Sequence, residues 1–271
     1  RGFTFVLLST NYLQENCVNI RAMKIAGLQK LTLLDYPGKT AATVFTPGCN
    51  FRCPFCQNID LVLPATQKDL PLLSEEDFFS FLNKRKGLLD GVCITGGEPT
   101  LQPDLAQFCQ QIKEQGFLVK LDTNGSRPEI LERLLSLGCL DYVAMDIKNT
   151  PTKYASTVGL AESKTFQILE AITQSIHLLL QGTIPFEFRT TVVAELHDQE
   201  TLIALATWLA QQTKAAQKKP ETIQWFLQQF VDSDTVLAGK HHFSALPSEK
   251  LHTIPPHIQA VLPCTKLRGI S

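Results

Sequence analysis

The sequence lacks any apolar run approaching the roughly 18 residues that a membrane-spanning helix needs, since polar residues break every hydrophobic stretch well before that length. A membrane anchor is therefore not expected. The apolar segment at residues 3–8 has neither a basic flank nor a small-residue cleavage site, so it does not read as a secretion signal and a cytoplasmic location is expected. There is no long Lys/Arg run, and the formal net charge is -1. This gives no electrostatic footprint for a nucleic-acid backbone or an anionic bilayer. Internal repeats and low-complexity segments are also missing, which excludes solenoids and arrays.

With 271 residues, 44% of them hydrophobic, the chain can bury a large core, and one α/β domain fits better than two small ones. The first Met is Met23, directly before the strand-like stretch that begins Lys24-Ile25-Ala26-Gly27-Leu28. Residues 1–22 are therefore read as an N-terminal extension to a core domain at 23–271. From residue 40 onward, short apolar runs alternate with turns and helical-period segments. Strands are expected at 40–45, 91–95, 118–122, 142–147, 186–193 and 222–226, with crossover helices at 103–115, 128–137, 165–180 and 199–212. Six β/α units fall short of the eight that close a full barrel, so a partial (β/α)6 barrel is the first expectation and a doubly wound sheet the alternative. In both, chemistry collects at the carboxyl ends of the strands.

Of eight cysteines, three crowd into Gly48-Cys49-Asn50-Phe51-Arg52-Cys53-Pro54-Phe55-Cys56 while Cys17, Cys93, Cys109, Cys139 and Cys264 are scattered. A secreted disulfide framework would spread them more evenly. The scattered five read as small buried hydrophobes. Cys49, Cys53 and Cys56, spaced C-x3-C-x2-C in one loop, can present three thiolates to a cuboidal four-iron four-sulfur cluster. No fourth Cys stands nearby, and no Cys lies between Cys56 and Cys93. A cluster kept only for electron transfer normally has four protein ligands, so the missing one implies an iron open to a small molecule. Structural zinc prefers two separated ligand pairs, which the sequence does not supply.

This spacing resembles the cluster motif of the radical S-adenosylmethionine superfamily, over a span from Lys24 to Gly269. The resemblance implies a radical SAM type partial barrel, one 4Fe-4S cluster on the three cysteines, and S-adenosylmethionine chelated to the fourth iron, with Phe55 beside its adenine. Gly96-Gly97-Glu98-Pro99 matches the turn that receives the methionyl ammonium in that family, and glycines there let the main chain approach a ligand closely. Asp122-Thr123-Asn124-Gly125 and Asp146-Ile147-Lys148 resemble paired motifs of the activating enzymes of glycyl-radical proteins. The resemblance implies that Asp122, Thr123 and Asp146 help hold a monovalent cation and that Lys148 lies near the ligand. Asp35-Tyr36-Pro37-Gly38 resembles an element preceding the cluster motif in these activators. His197 and Gln57 are further candidate contacts, Gln57 standing where activators often carry His, and Arg189 could reach an anionic group.

The run Leu28 to Lys39, together with Arg189-Thr190-Thr191-Val192-Val193 and Leu227-Gln228-Gln229-Phe230, looks most like activators of anaerobic ribonucleoside-triphosphate reductase, with pyruvate formate-lyase activators close by. The resemblance implies a glycyl-radical enzyme as protein substrate and a low-potential donor such as flavodoxin or ferredoxin. The alternatives are a radical enzyme acting on a small molecule, in the manner of 7-deazaguanine synthases, and a non-catalytic iron-sulfur carrier.

Overall fold

The alternation read from residue 40 onward builds one eight-stranded sheet in the computed structural model, which describes residues 23–63 and 71–269. The expected extension at 1–22, with Cys17, lies outside the described residues. The strands are β1 (Gly27–Thr32), β2 (Ala41–Thr46), β3 (Gly91–Gly96), β4 (Leu118–Thr123), β5 (Tyr142–Asp146), β6 (Phe186–Val192), β7 (Trp225–Gln229) and β8 (Thr265–Arg268), lying side by side in chain order. β1 runs antiparallel to β2, and every later pair is parallel. A doubly wound sheet requires a reversal of strand order. None occurs, so right-handed crossovers place the helices on one face and the sheet curls as a partial barrel. β1 and β8 end the sheet and do not pair with each other.

β1 overlaps the strand-like stretch that begins at Lys24, ahead of the alternating region. β8 alone escapes the expectation drawn from the sequence: it is four residues long and reads Thr-Lys-Leu-Arg, too short and too polar to stand out. The strand expected at 222–226 is shifted to Trp225–Gln229 because Pro220–Thr222 close a 3-10 turn. The crossover helices form as read, at α3 (Leu105–Glu114), α4 (Pro128–Ser136), α6 (Thr165–Gln181) and α7 (Gln199–Ala215). Between β2 and β3 lie α1 (Ile59–Val62) and α2 (Glu75–Asn83), and α5 (Tyr154–Thr157) follows β5. α2 starts where Ser74 Oγ accepts from the Asp77 amide at 3.0 Å, and α7 where the Asp198 carboxylate accepts from the Thr201 amide at 2.7 Å, each satisfying an amide that the first turn leaves without a partner.

Strand residues alternate between the two faces of the sheet. Val92, Ile94, Val119, Leu121, Val143, Met145, Phe188, Trp225 and Leu227 are fully buried in the apolar core. The opposite parity is polar: Thr43, Lys120, Asp122, Asp146, Arg189 and Gln228 sit one residue away from those core positions. Branched apolar side chains normally fill a barrel interior. Here charged groups line it instead, and a cavity of about 430 Å³ remains. Away from the cavity, Arg268 makes a two-pronged contact to the buried Glu187 at 2.7 and 2.9 Å while the Tyr142 hydroxyl donates to the same carboxylate at 2.9 Å.

Candidate active site

The loop after β2 carries Cys49, Cys53 and Cys56, and all three line the cavity together with Phe55, Gln57, Gly96, Gly97, Glu98, Asp122, Thr123, Asp146, Lys148 and Arg189. Remote segments brace this loop through its backbone. The Glu98 amide donates to Gly48 O at 2.7 Å, Arg52 N to Val158 O at 2.9 Å, Leu237 N to Cys56 O at 2.8 Å and Ala238 N to Pro54 O at 2.9 Å. The Arg52 guanidinium closes the loop on itself by donating to the Cys49 and Phe51 carbonyls at 2.6 and 2.7 Å. Phe55 is buried and meets Phe243 edge to face. Gln57 is exposed and donates through its amide to the Val231 carbonyl.

Burial pushes the Cys49 thiol up to about 11 and the Cys53 thiol up to about 12, so both are neutral until a metal displaces the proton. Phe51 N donates to Cys49 Sγ at 3.4 Å, and the Asn124 side-chain amide approaches the same sulfur at 3.9 Å. Hydrogen bonds of this kind stabilise a ligating sulfur and tune a cluster's potential. Among the described residues, no group of three or more His, Cys, Asp or Glu side chains is gathered closely enough to hold a single metal ion. A cuboidal cluster places a separate iron at each thiolate, so it suits three sulfurs spread around one wall where a zinc ion does not.

The turn after β3 explains its glycines. Gly96 has φ +123°, and a Cβ there would lie 2.3 Å from Thr46 N; a Cβ on Gly97 would lie 2.0 Å from the Gly48 carbonyl oxygen. Only glycine allows this turn to press against the cluster loop. Glu98 lines the cavity, but its carboxylate already has donors within the protein. It is fully buried, and its Oε1 accepts from Thr100 N (3.1 Å), Thr100 Oγ1 (2.5 Å) and Thr123 Oγ1 (2.7 Å), while Oε2 accepts from the Asn124 amide at 2.6 Å. Both carboxylate oxygens are thus committed to protein donors, and Glu98 acts as a strut between β3 and the loop after β4. Burial raises its pKa against the lowering effect of those donors.

Across the cavity floor runs an alternating chain of charges. Lys120 pairs with Asp122 Oδ1, Arg189 Nη1 with Asp122 Oδ2 at 3.0 Å, Arg189 Nε with Asp146 Oδ1 at 3.0 Å, and Lys148 Nζ with Asp146 Oδ2 at 2.9 Å. Asp146 stands directly opposite Arg189 in the ladder, and the small Ala144 opposite Asp122 leaves room for the guanidinium to span β5. Against the opposing cost of burial, Arg189 and then Lys148 hold the Asp146 carboxyl at about 2, and Arg189 and Lys120 hold Asp122 below the usual carboxylate range. All four carboxylate oxygens of the expected cation site are therefore engaged by basic side chains, and these residues do not fit a monovalent ion in addition.

His197 is not brought to the cavity. It is fully buried, its Nδ1 accepts from the Val193 amide at 3.1 Å, and its Nε2 donates to the Lys148 carbonyl at 2.8 Å. It fastens the loop after β6 to the backbone behind Lys148. Burial lowers its pKa, so the folded protein favours the neutral ring. Its contribution to stability is complete above the unfolded value of about 6.5 and is lost as pH falls below that toward the lowered folded value. Thermal melts of the wild type are expected to fall across this range, and the His197→Gln variant should show a weaker acid dependence.

Lys120 is a site residue that the motifs do not mark, and Asn124, named only as a member of the motif after β4, also takes part through the Cys49 sulfur and Glu98. Lys120 is 1% exposed, pairs with Asp122 and lies 3.7 Å from the buried Cys93 sulfur. The signal was a lysine two residues before Asp122 in an otherwise apolar strand, hence on the same face. The scattered Cys93, Cys109 and Cys139 are buried as expected, whereas Cys264 is partly exposed.

Residues 43–192 match the family model described as the Radical SAM superfamily. A Methanocaldococcus jannaschii protein named as a glycyl-radical enzyme activating enzyme is 35% identical over 183 residues, covering 67% of this chain and 73% of that one. A Methanopyrus kandleri 7-carboxy-7-deazaguanine synthase is 28% identical over 209 residues, covering 63% and 81%. The crystal structure of Streptococcus suis SuiB bound to S-adenosylmethionine superposes with a TM-score of 0.53 at 14% identity, over 84% of this chain and 52% of that one, and so shares the fold. With the cluster loop, the glycine turn and the matched span coinciding on one rim of a curled parallel sheet, the chain belongs to the radical SAM superfamily, whose members carry a four-iron four-sulfur cluster and use S-adenosylmethionine.

Proposed function

We propose that this enzyme generates a glycyl radical on a partner protein, with anaerobic ribonucleoside-triphosphate reductase as that partner and a low-potential flavodoxin or ferredoxin as electron donor. The observation that carries the reading is the unclosed side of the sheet: β1 and β8 do not pair with each other, and Gln29 and Asp35 line the cavity from the β1 edge. An open side next to a reaction chamber suits a protein substrate that must seat a loop, more than a small molecule that must be enclosed. The similarity to the Methanocaldococcus jannaschii protein supports the same choice over a deazaguanine-forming reaction, given its higher identity.

In this reading Cys49, Cys53 and Cys56 hold the cluster, Phe55 flanks the nucleoside, and the backbone at Gly96 and Gly97 borders the bound ligand. Lys148 and Arg189 receive its carboxylate. A cluster held by Cys49, Cys53 and Cys56 would supply the electron for reductive cleavage of S-adenosylmethionine, the chemistry needed to remove a hydrogen atom from the partner's glycine. The protein's own work is orientation and exclusion of quenchers. No helix among the described residues is long and apolar enough to cross a membrane.

The test combines the anaerobically reconstituted, reduced enzyme with S-adenosylmethionine and the reductase, read by electron paramagnetic resonance. A glycyl doublet is expected. Formation of 5′-deoxyadenosine with no doublet, for any glycyl-radical enzyme offered, would direct the assignment to a small-molecule substrate.

A further inference from the structure

The five-member chain Lys120–Asp122–Arg189–Asp146–Lys148 changes what the site asks of its surroundings. A pair of acidic side chains beside a bound carboxylate would concentrate negative charge, and a dissolved cation would then be required to neutralise it. Within this chain the acids are outnumbered. Three basic groups face two acidic ones, every carboxylate oxygen has a basic partner, and the chain carries one net positive charge. Four of its members are well shielded, the Lys120 side chain being 1% exposed and those of Asp122, Arg189 and Lys148 between 13 and 16%, while Asp146, at 28%, is the most open. Low exposure keeps the pairs from being screened by salt, and two fixed contacts hold the guanidinium between the two acids.

We propose that this enzyme carries its counter-cations covalently, as the Lys120, Arg189 and Lys148 side chains, and that S-adenosylmethionine binding and cleavage need no dissolved monovalent ion. Lys120 is the member that decides the matter. It does not line the cavity, so its role is to occupy Asp122 Oδ1 from below and keep that carboxylate turned toward Arg189. It is a positioning residue. The inference rests on S-adenosylmethionine being the bound ligand, but not on the identity of the partner protein.

The experiment uses the reconstituted holoenzyme without partner, exchanged into buffers of equal ionic strength containing potassium, sodium or choline chloride. Two quantities are read: calorimetric affinity for S-adenosylmethionine in the oxidised state, and 5′-deoxyadenosine formation after reduction. For the wild type both are expected to differ by less than about twofold among the three salts, because the charges are internal. Lys120→Met keeps the length of the side chain and removes its charge, leaving a buried carboxylate short of one partner. This variant should bind and cleave about tenfold better in potassium than in choline, a response that damage to packing alone does not produce. Arg189→Gln is the second variant, should Lys120→Met not fold. A wild-type requirement of tenfold or more for potassium or sodium overturns the proposal, as does the absence of any salt response in both folded variants. A failure of the glycyl-radical assignment leaves these readouts untouched, since no partner is present.

Discussion

Replacing Cys49, Cys53 or Cys56 singly by Ala is expected to give folded protein that retains no stable cluster and cleaves S-adenosylmethionine at least roughly a thousandfold more slowly than the wild type. Each thiolate would hold one iron, so two remaining sulfurs leave two irons without protein ligands. The fold should survive because the loop is fastened through its backbone amides and carbonyls at Gly48, Arg52, Pro54 and Cys56, none of which the substitution removes. Iron and sulfide content after anaerobic reconstitution measures the first effect, and 5′-deoxyadenosine the second. Cys109→Ala and Cys139→Ala serve as contrasts. Both sulfurs lie in the apolar core, so their loss should cost about 1 kcal/mol of stability and leave the iron content at the wild-type level. Any of the three loop variants retaining full iron and activity would remove its cysteine from the ligand set.

Glu98→Ala should be the most destabilising single change at the site, and for a reason unrelated to ligand binding. Its carboxylate is the acceptor for the Thr100 and Asn124 amides and the Thr100 and Thr123 hydroxyls. Each donor left without a partner costs about 1–3 kcal/mol, and the sum, moderated by relaxation and water entry, should reach about 3–5 kcal/mol. For a chain of this size that corresponds to a fall in Tm on the order of 10 °C. Glu98→Gln should lie between, since it keeps the shape but turns one acceptor into a donor facing other donors. A Glu98→Ala protein that melts with the wild type and fails only to bind S-adenosylmethionine would restore the expectation that this carboxylate receives the methionyl ammonium.

Much of the fold was legible because β/α alternation is a local property: five of the six expected strands stand within about one residue of where periodicity puts them, the sixth is shifted by three, and all four crossover helices form within three residues. β8 was illegible for a physical reason. Thr265 and Leu267 alternate with Lys266 and Arg268 over only four residues, and the last of these is held by Glu187, 81 positions away. At the site, the cysteine spacing and the glycine turn pointed to the cavity, but which side chains face a ligand did not follow from motif membership. Glu98 and His197 both belong to motifs on the correct rim, yet one is spent as a strut and the other as a clasp. The partner of an ionisable group depends on long-range register. Arg189 meets Asp122 only because β5 places Ala144 between them.

The chain-order sequence of strands also bears on how the molecule is made. No strand has to be inserted between two others already paired, because every new one adds to the growing edge left by its predecessor. Such a sheet can be laid down progressively as the polypeptide leaves the ribosome, with the short loop-closure distances that favour rapid folding. The charge chain would be complete once Arg189 on β6 has docked. The Glu187 ion pair would wait for Arg268. A nascent polypeptide stopped before β8 would thus hold the ligand-facing groups in place while Glu187 kept the Tyr142 hydroxyl but lacked its cationic partner.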